Sequence, residues 1–257
     1  MAKKDASLFL KSLIQHSNGK LIDYDNPETG ISYRYAQFNT LPIKDCPFRS
    51  AGCTAVCYAT KGNHVFPSVI KSRENSHNDS KRDDFGKAIA YTIRYALNLK
   101  RYKGNVMIVR IHESGDFYSV QYLRKWIDAW KELKDDMRVM FVFYTKSFPF
   151  FLMLTEEEKE IIRSMMKSGQ LAMNLSIDDT TTAEQMVNYL RMIAEFPLSN
   201  TYRVTENTAE DDDVCDCENC AKCGACNKAQ GGHKVVRIHS ASTNDIKQYR
   251  NNRRERA

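Results

Sequence analysis

The residues best able to do chemistry are eight cysteines, and they fall into two groups. Cys46, Cys53 and Cys57 share one stretch near the N-terminus. Cys215, Cys217, Cys220, Cys223 and Cys226 lie close together near the C-terminus. Structural free cysteines behave as small hydrophobes and are expected singly on apolar faces. These sit among Gly, Pro, Asp, Asn and Lys instead. Close thiols in polar loops of a cytosolic chain bind metal or do redox chemistry more readily than they form disulfides.

The first group reads Cys46-Pro-Phe-Arg-Ser-Ala-Gly-Cys53-Thr-Ala-Val-Cys57-Tyr-Ala. Three thiolates can hold three irons of a cubane 4Fe–4S cluster and leave the fourth iron open to a substrate or cofactor. Zinc would need a fourth ligand, either His64 or a residue outside the segment. The small residues Ser50, Ala51 and Gly52 allow the backbone to wrap tightly around a bulky cofactor. In the second group Cys217, Cys220, Cys223 and Cys226 follow one another with two residues between each pair. That spacing is like the start of the bacterial ferredoxin run without its closing proline, and it also suits tetrahedral zinc. One or two 4Fe–4S clusters are therefore expected, with zinc as the alternative at Cys217–Cys226. Cys215 is a fifth thiol, spare or an alternative ligand. The loop-rich segment 206–233 needs a metal to be ordered.

Elements that could position these groups alternate along the chain. Strands are expected over 31–41, 105–111, 138–145, 170–177, 200–205 and 234–239. Between them the pattern is helical. Over 66–102, Phe85, Ile89, Ile93 and Leu97 recur at spacing four. A helix starting at Ser119 carries Trp126 and Trp130, and one after 155 opens with a Thr-Glu-Glu-Glu capping box. A third, over 182–195, is expected to turn Met186, Leu190 and Ile193 inward. Strand–helix alternation with continuous apolar strands argues for an α/β fold with a parallel sheet. About six such units suit a partial (β/α)6 barrel or a doubly wound sheet. A single domain over 1–240 is expected, with a polar, basic tail over 241–257.

Composition narrows the classes. The chain has 257 residues, 42% apolar and 11% aromatic, which excludes intrinsic disorder. The longest apolar run, 148–154, contains Pro149 and falls far short of the ~20 residues a membrane span needs. No signal peptide is visible, because Lys11 interrupts the apolar stretch near the N-terminus, so a cytoplasmic protein is expected. No glycine-rich dinucleotide fingerprint or phosphate-binding loop occurs. The net charge is +6, with Lys and Arg recurring in 71–82, 100–103 and 247–256. Such patches admit nucleic acid as a substrate or partner, although charge runs also form ordinary solvated faces.

In a β/α barrel the site lies at the C-terminal ends of the strands. Here those ends carry His112-Glu113-Ser114-Gly115-Asp116, Lys146-Ser147, Ser176-Ile-Asp178-Asp179 and His239. His112, Asp116 and Lys146 are the candidate catalytic residues. Ser147 and Asp179 also read as cap or loop polarity.

A cysteine loop after the first strand of a partial β/α barrel, with its last cysteine followed by the aromatic Tyr58, resembles the radical S-adenosylmethionine superfamily. Gly52-Cys-x-x-x-Cys-Tyr-Ala, then Arg110-x-His-Glu-Ser-Gly-Asp-Phe-Tyr and a tryptophan helix, resembles the phage gene product 88 family over roughly 39–240. The strand carrying Val235, Val236 and His239 fits as well. The resemblance implies cluster ligands at Cys46, Cys53 and Cys57. Glu113, Ser114, Gly115 and Asp116 would replace the superfamily's glycine-rich stretch, which contacts the methionyl amino group. Ribose contacts would come from Ser176 and Asp178. The cysteine spacing departs from the superfamily's usual one, and its Gly-Gly-Glu signature is absent. The implied reaction is one-electron cleavage of S-adenosylmethionine and hydrogen abstraction from an unidentified substrate, which requires an electron donor. A phage-encoded chain would work in the host cytoplasm. The competing expectation is a non-catalytic binding protein, stabilised by zinc or iron–sulfur, with nucleic acid as a candidate partner.

Overall fold

Runs of β-branched and aromatic residues form a seven-stranded sheet in the computed structural model, which describes residues 5, 7–13, 23–206, 225–238 and 241–255. The strands are β1 (Tyr24–Asp25), β2 (Ser32–Phe38), β3 (Val106–Ile111), β4 (Val139–Thr145), β5 (Leu171–Asp178), β6 (Asn200–Thr205) and β7 (His233–Arg237). They lie side by side in chain order. Only β1 is antiparallel to its neighbour; β2 to β7 are parallel throughout. Strands added always in the same direction, with right-handed crossovers, put every crossover helix on one face. The sheet curls accordingly into a half-barrel. A doubly wound sheet needs a point where strand order reverses. No such reversal occurs here, and that expectation is corrected.

The helices are α1 (Ala51–Ala55), α2 (Pro67–Ser80), α3 (Phe85–Ala96), α4 (Val120–Leu133), α5 (Phe148–Leu152), α6 (Glu156–Lys167), α7 (Ala183–Glu195) and α8 (Thr243–Arg254). Side chains alternate across each strand. On the outer face Phe38, Val109, Phe141, Phe143 and Met173 meet Phe85, Ile89 and Ile93 of α3 and Trp126 and Trp130 of α4 in one buried core. Phe85 and Trp126 both pack edge-on against Phe38. The inner face carries a smaller apolar patch of Tyr35, Ile108, Val142 and Ala172. Above it, toward the strand C-termini, the same face turns polar with Arg110, Tyr144, Asn174, Ser176 and Tyr202.

Three expectations need correction. The helical stretch 66–102 is two helices, broken at 81–84, where Arg82 pairs with Asp84 at 2.8 Å. On α7 Leu190 is 57% exposed, and Tyr189 and Met192 are buried in its place. The helix is covered only along one narrow stripe, where Tyr189 meets Phe148 of α5. The basic tail is in large part α8. A capping box between Ser242 and Asp245 starts it, and Tyr249, fully buried, anchors it. The Tyr249 hydroxyl accepts the Asp179 amide at 3.1 Å and donates to the Val204 carbonyl at 3.3 Å. Lys61–Asp245 and Arg250–Glu206 ion pairs flank it.

Among the described residues no helix is long and apolar enough to cross a membrane. Cys215, Cys217, Cys220, Cys223 and His239 lie outside the described residues, as does most of segment 206–233.

Candidate functional site

The first cysteine group sits where β2 leaves the sheet, and polar side chains of other elements hold it there. Asp45, just before Cys46, is buried. Its carboxylate accepts the Leu41 amide at 2.9 Å and Nδ1 of His77 on α2 at 2.8 Å. Its carbonyl accepts the Asp116 amide at 2.9 Å, which ties the loop to the end of β3. Cys53 rides on α1. Ser50 caps that short helix, its hydroxyl accepting the Cys53 amide at 3.0 Å while donating to Asp178 of β5. The Gly52 amide donates to the Thr180 hydroxyl at 2.7 Å. A Cβ at position 52 would stand 2.5 Å from the Tyr249 ring and 2.7 Å from that hydroxyl, so only glycine allows this approach.

Beneath the loop lies a chain of buried polar groups from three strands. Lys146 Nζ donates to Asp178 at 2.9 Å and to the Ser176 carbonyl at 3.1 Å. The other Asp178 oxygen accepts the Thr180 amide at 2.9 Å and hydroxyl at 2.6 Å. Burial opposes this carboxylate's charge, but Lys146 and the Ser50 and Thr180 hydroxyls outweigh it and hold its pKa below the usual value. Asp116 accepts the Thr145 hydroxyl and the Phe117 and Lys146 amides at 2.7–2.9 Å. Burial nevertheless pushes it up to about 6. The sheet thus joins Asp116, Lys146, Ser176 and Asp178 in one network.

Others of the expected residues play supporting parts. His112 has φ 61°, turning its ring into the outer aromatic core against Phe117, and its Nε2 pairs with the Tyr122 hydroxyl at 2.8 Å. Burial drives its pKa down to about 3, with Arg110 adding to the effect, so the ring is neutral. The Glu113 amide donates to Asn39 Oδ1 at 2.8 Å, and its carbonyl accepts the Tyr58 hydroxyl. The Ser114 hydroxyl donates to the Thr40 carbonyl at 2.7 Å. Gly115 has φ 84°, and a Cβ there would lie 2.0 Å from the Thr40 hydroxyl. Ser147 donates to the Phe117 carbonyl, and Asp179 pairs with Arg203 at 3.2 Å. His64 Nδ1 meets the Arg73 guanidinium at 2.8 Å.

Cys46, Cys53 and Cys57 are free and partly exposed. Burial pushes the Cys46 thiol far above its usual value, and the nearby charges of Asp116, Cys53 and Cys57 add to this. Burial also pushes Cys53 up to about 11, with Lys146 opposing and Asp178 and Cys57 reinforcing. The thiols are thus within electrostatic reach of one another and of the Asp116–Lys146–Asp178 network. A lone thiolate is disfavoured there, whereas a thiolate on a cation is not. Among the described residues, no three His, Cys, Asp or Glu side chains already stand together as a metal-holding group. Cys226 lies apart, on the inner face, its thiol 2.7 Å from the Tyr202 hydroxyl and its carbonyl accepting from Asn174 at 3.2 Å.

Sequence reasoning missed the parts played by Asp45, His77 and Thr180, and read Ser50 only as a small residue rather than as the clamp to Asp178. One signal was legible. Arg73, Ser76, His77 and Ser80 recur on α2 at helical spacing and are all buried, so this helix turns a polar face toward the cysteine loop.

A half-barrel whose strands β2 to β7 run parallel, with a cysteine-bearing loop following β2, defines the class, a mixed α/β protein. The chain belongs to the gene product 88 family, whose family model it matches over residues 11–229. Neither the curated proteins nor the solved structures include a match to it.

Proposed function

We propose that Cys46, Cys53 and Cys57 hold an iron–sulfur cluster over the strand ends, and that the protein is a redox enzyme of the radical S-adenosylmethionine type. The observation that carries this reading is the Ser50 clamp. The helix bearing Cys53 is fixed through Ser50 to Asp178, and Asp178 is fixed to Lys146. A surface loop with no role at the strand ends has no need of buried partners on β5. The donor set fits a thiophilic centre, with three thiols on one loop and a glycine, Gly52, where the backbone packs against the Tyr249 ring and the Thr180 hydroxyl.

When bound and reduced, a cluster of this kind supplies one electron for cleaving S-adenosylmethionine. The chain's own groups would then orient ligand and exclude water. Lys146 and Asp178 fix the Ser176 backbone and α1, and Asp116 is the buried carboxyl able to exchange a proton near neutral pH. His112 acts by packing, since its ring belongs to the outer core.

The test is anaerobic purification of the full chain with iron, zinc and acid-labile sulfide analysis. Iron and sulfide in a brown protein, with S-adenosylmethionine cleaved on reduction, is the expected result. A colourless protein with stoichiometric zinc would overturn it in favour of a metal-stabilised binding protein.

A further inference from the structure

Arg110 places a guanidinium on the inner face of the half-barrel, with no counter-ion among the described residues. It stands two residues beyond Ile108 on β3, on the same side as the inner apolar patch. Its guanidinium carbon lies 4.1 Å from the centre of the Tyr144 ring. Tyr144 packs edge-on against Tyr202 at 4.9 Å, and Tyr202 meets Cys226, so the platform under the arginine is itself held. Among the described residues, no carboxylate pairs with Arg110, and its buried Nε has no acceptor. Glu113, three residues on, is engaged by the Asn39 amide at 3.4 Å instead.

Partly burying a guanidinium without a counter-charge costs free energy. The Tyr144 ring covers one side of the guanidinium. That leaves the N–H edges, whose fork matches a carboxylate or phosphate group through paired hydrogen bonds. The position is near the cysteine loop: Tyr58, the residue after Cys57, donates its hydroxyl to the carbonyl of Glu113, three residues on from Arg110.

We infer that Arg110 anchors an oxyanion group, carboxylate or phosphate, of a ligand bound on the inner face of the half-barrel. The site is independent of whether the cysteines hold a cluster, and it can be tested with no metal chemistry.

Inorganic phosphate and acetate are titrated separately into the full chain by calorimetry at constant ionic strength. Saturable binding of at least one, roughly in the millimolar range, is expected for a single charged anchor. Arg110→Gln should weaken it about tenfold or more, the loss of a charge-assisted pair. Tyr144→Leu keeps the charge but frees the guanidinium, and should weaken binding by a smaller factor; it decides the matter if Arg110→Gln does not fold. Tighter phosphate binding supports a phosphorylated ligand, and tighter acetate binding a carboxylate. Equal affinity in parent and both variants, or no saturable binding to the parent, overturns the inference.

Discussion

The Ser50 hydroxyl caps the helix that carries Cys53 and at the same time donates to Asp178, 128 residues further along the chain. One small side chain therefore couples the cysteine loop to the fifth strand. Ser50→Ala removes a helix cap and a hydrogen bond to a buried carboxylate together. The two losses predict a destabilisation of about 2–4 kcal/mol, read by urea denaturation. A change near zero would mean that the loop holds its place without the clamp.

Lys146 and Asp178 form a buried ion pair whose side chains are 13% and 3% exposed. Removing one partner strands the other's charge. Lys146→Met should cost about 3–5 kcal/mol. The double variant Lys146→Met/Asp178→Asn should recover part of that loss, giving a coupling energy well above zero in a double-mutant cycle. Simple addition of the single effects would show that the pair contributes nothing jointly.

The sheet was legible because β3 to β5 are long apolar runs, and the capping box at Thr155 marks a helix start. The register of α7 was not legible, because Val187 and Leu190 are apolar yet exposed, and composition cannot say which stripe a neighbour covers. α8 was hidden for the opposite reason, since one tyrosine carries its packing within a strongly polar run. At the site, the types and strand-end positions of Asp116, Lys146 and Asp178 could be read directly. Their connection through Ser50 could not, because it joins residues far apart in the chain. His112 shows the limit most plainly: a histidine at a strand end suggests chemistry, but a positive φ turns it into the core.

Tyr249 is the fully buried anchor of α8 and packs against Gly52 of α1. Tyr249→Ala should cost about 3–5 kcal/mol locally, as for other large aromatic truncations. The loss should appear first as fraying of the C-terminal helix rather than as global unfolding. Limited proteolysis should then cut within 243–254 much faster than in the parent. Unchanged cleavage there would show that the ion pairs to Asp245 and Arg250 suffice to hold the helix.

Cys53 is partly exposed and outside both apolar cores. Cys53→Ala should therefore change the stability of the metal-free chain by less than about 1 kcal/mol. If the cysteines hold the proposed cluster, the same variant expressed anaerobically should carry less iron than the parent, measured by metal analysis. Full iron retention would remove Cys53 from the ligand set.

His112 supplies a pH signature. Burial holds its folded pKa down at about 3, against 6.5 for the free group. Between those values the unfolded chain binds a proton that the folded chain does not. The stabilisation from a neutral His112 is thus fully present above about pH 6.5 and is lost as pH falls toward 3, by up to about 1.4 kcal/mol per pH unit. Asp116 acts in the opposite sense: its folded pKa of about 6 lies above the ordinary 3.8, so its contribution is lost as pH rises through that interval. Comparing the parent with His112→Asn separates the two, because asparagine tolerates the positive φ and leaves Asp116 in place. The parent should be the more stable at pH 7, and the gap should narrow by roughly 2–3 kcal/mol on going to pH 4.5. A gap that stays constant over this range would mean that His112 is protonated as easily in the folded chain as in the unfolded one.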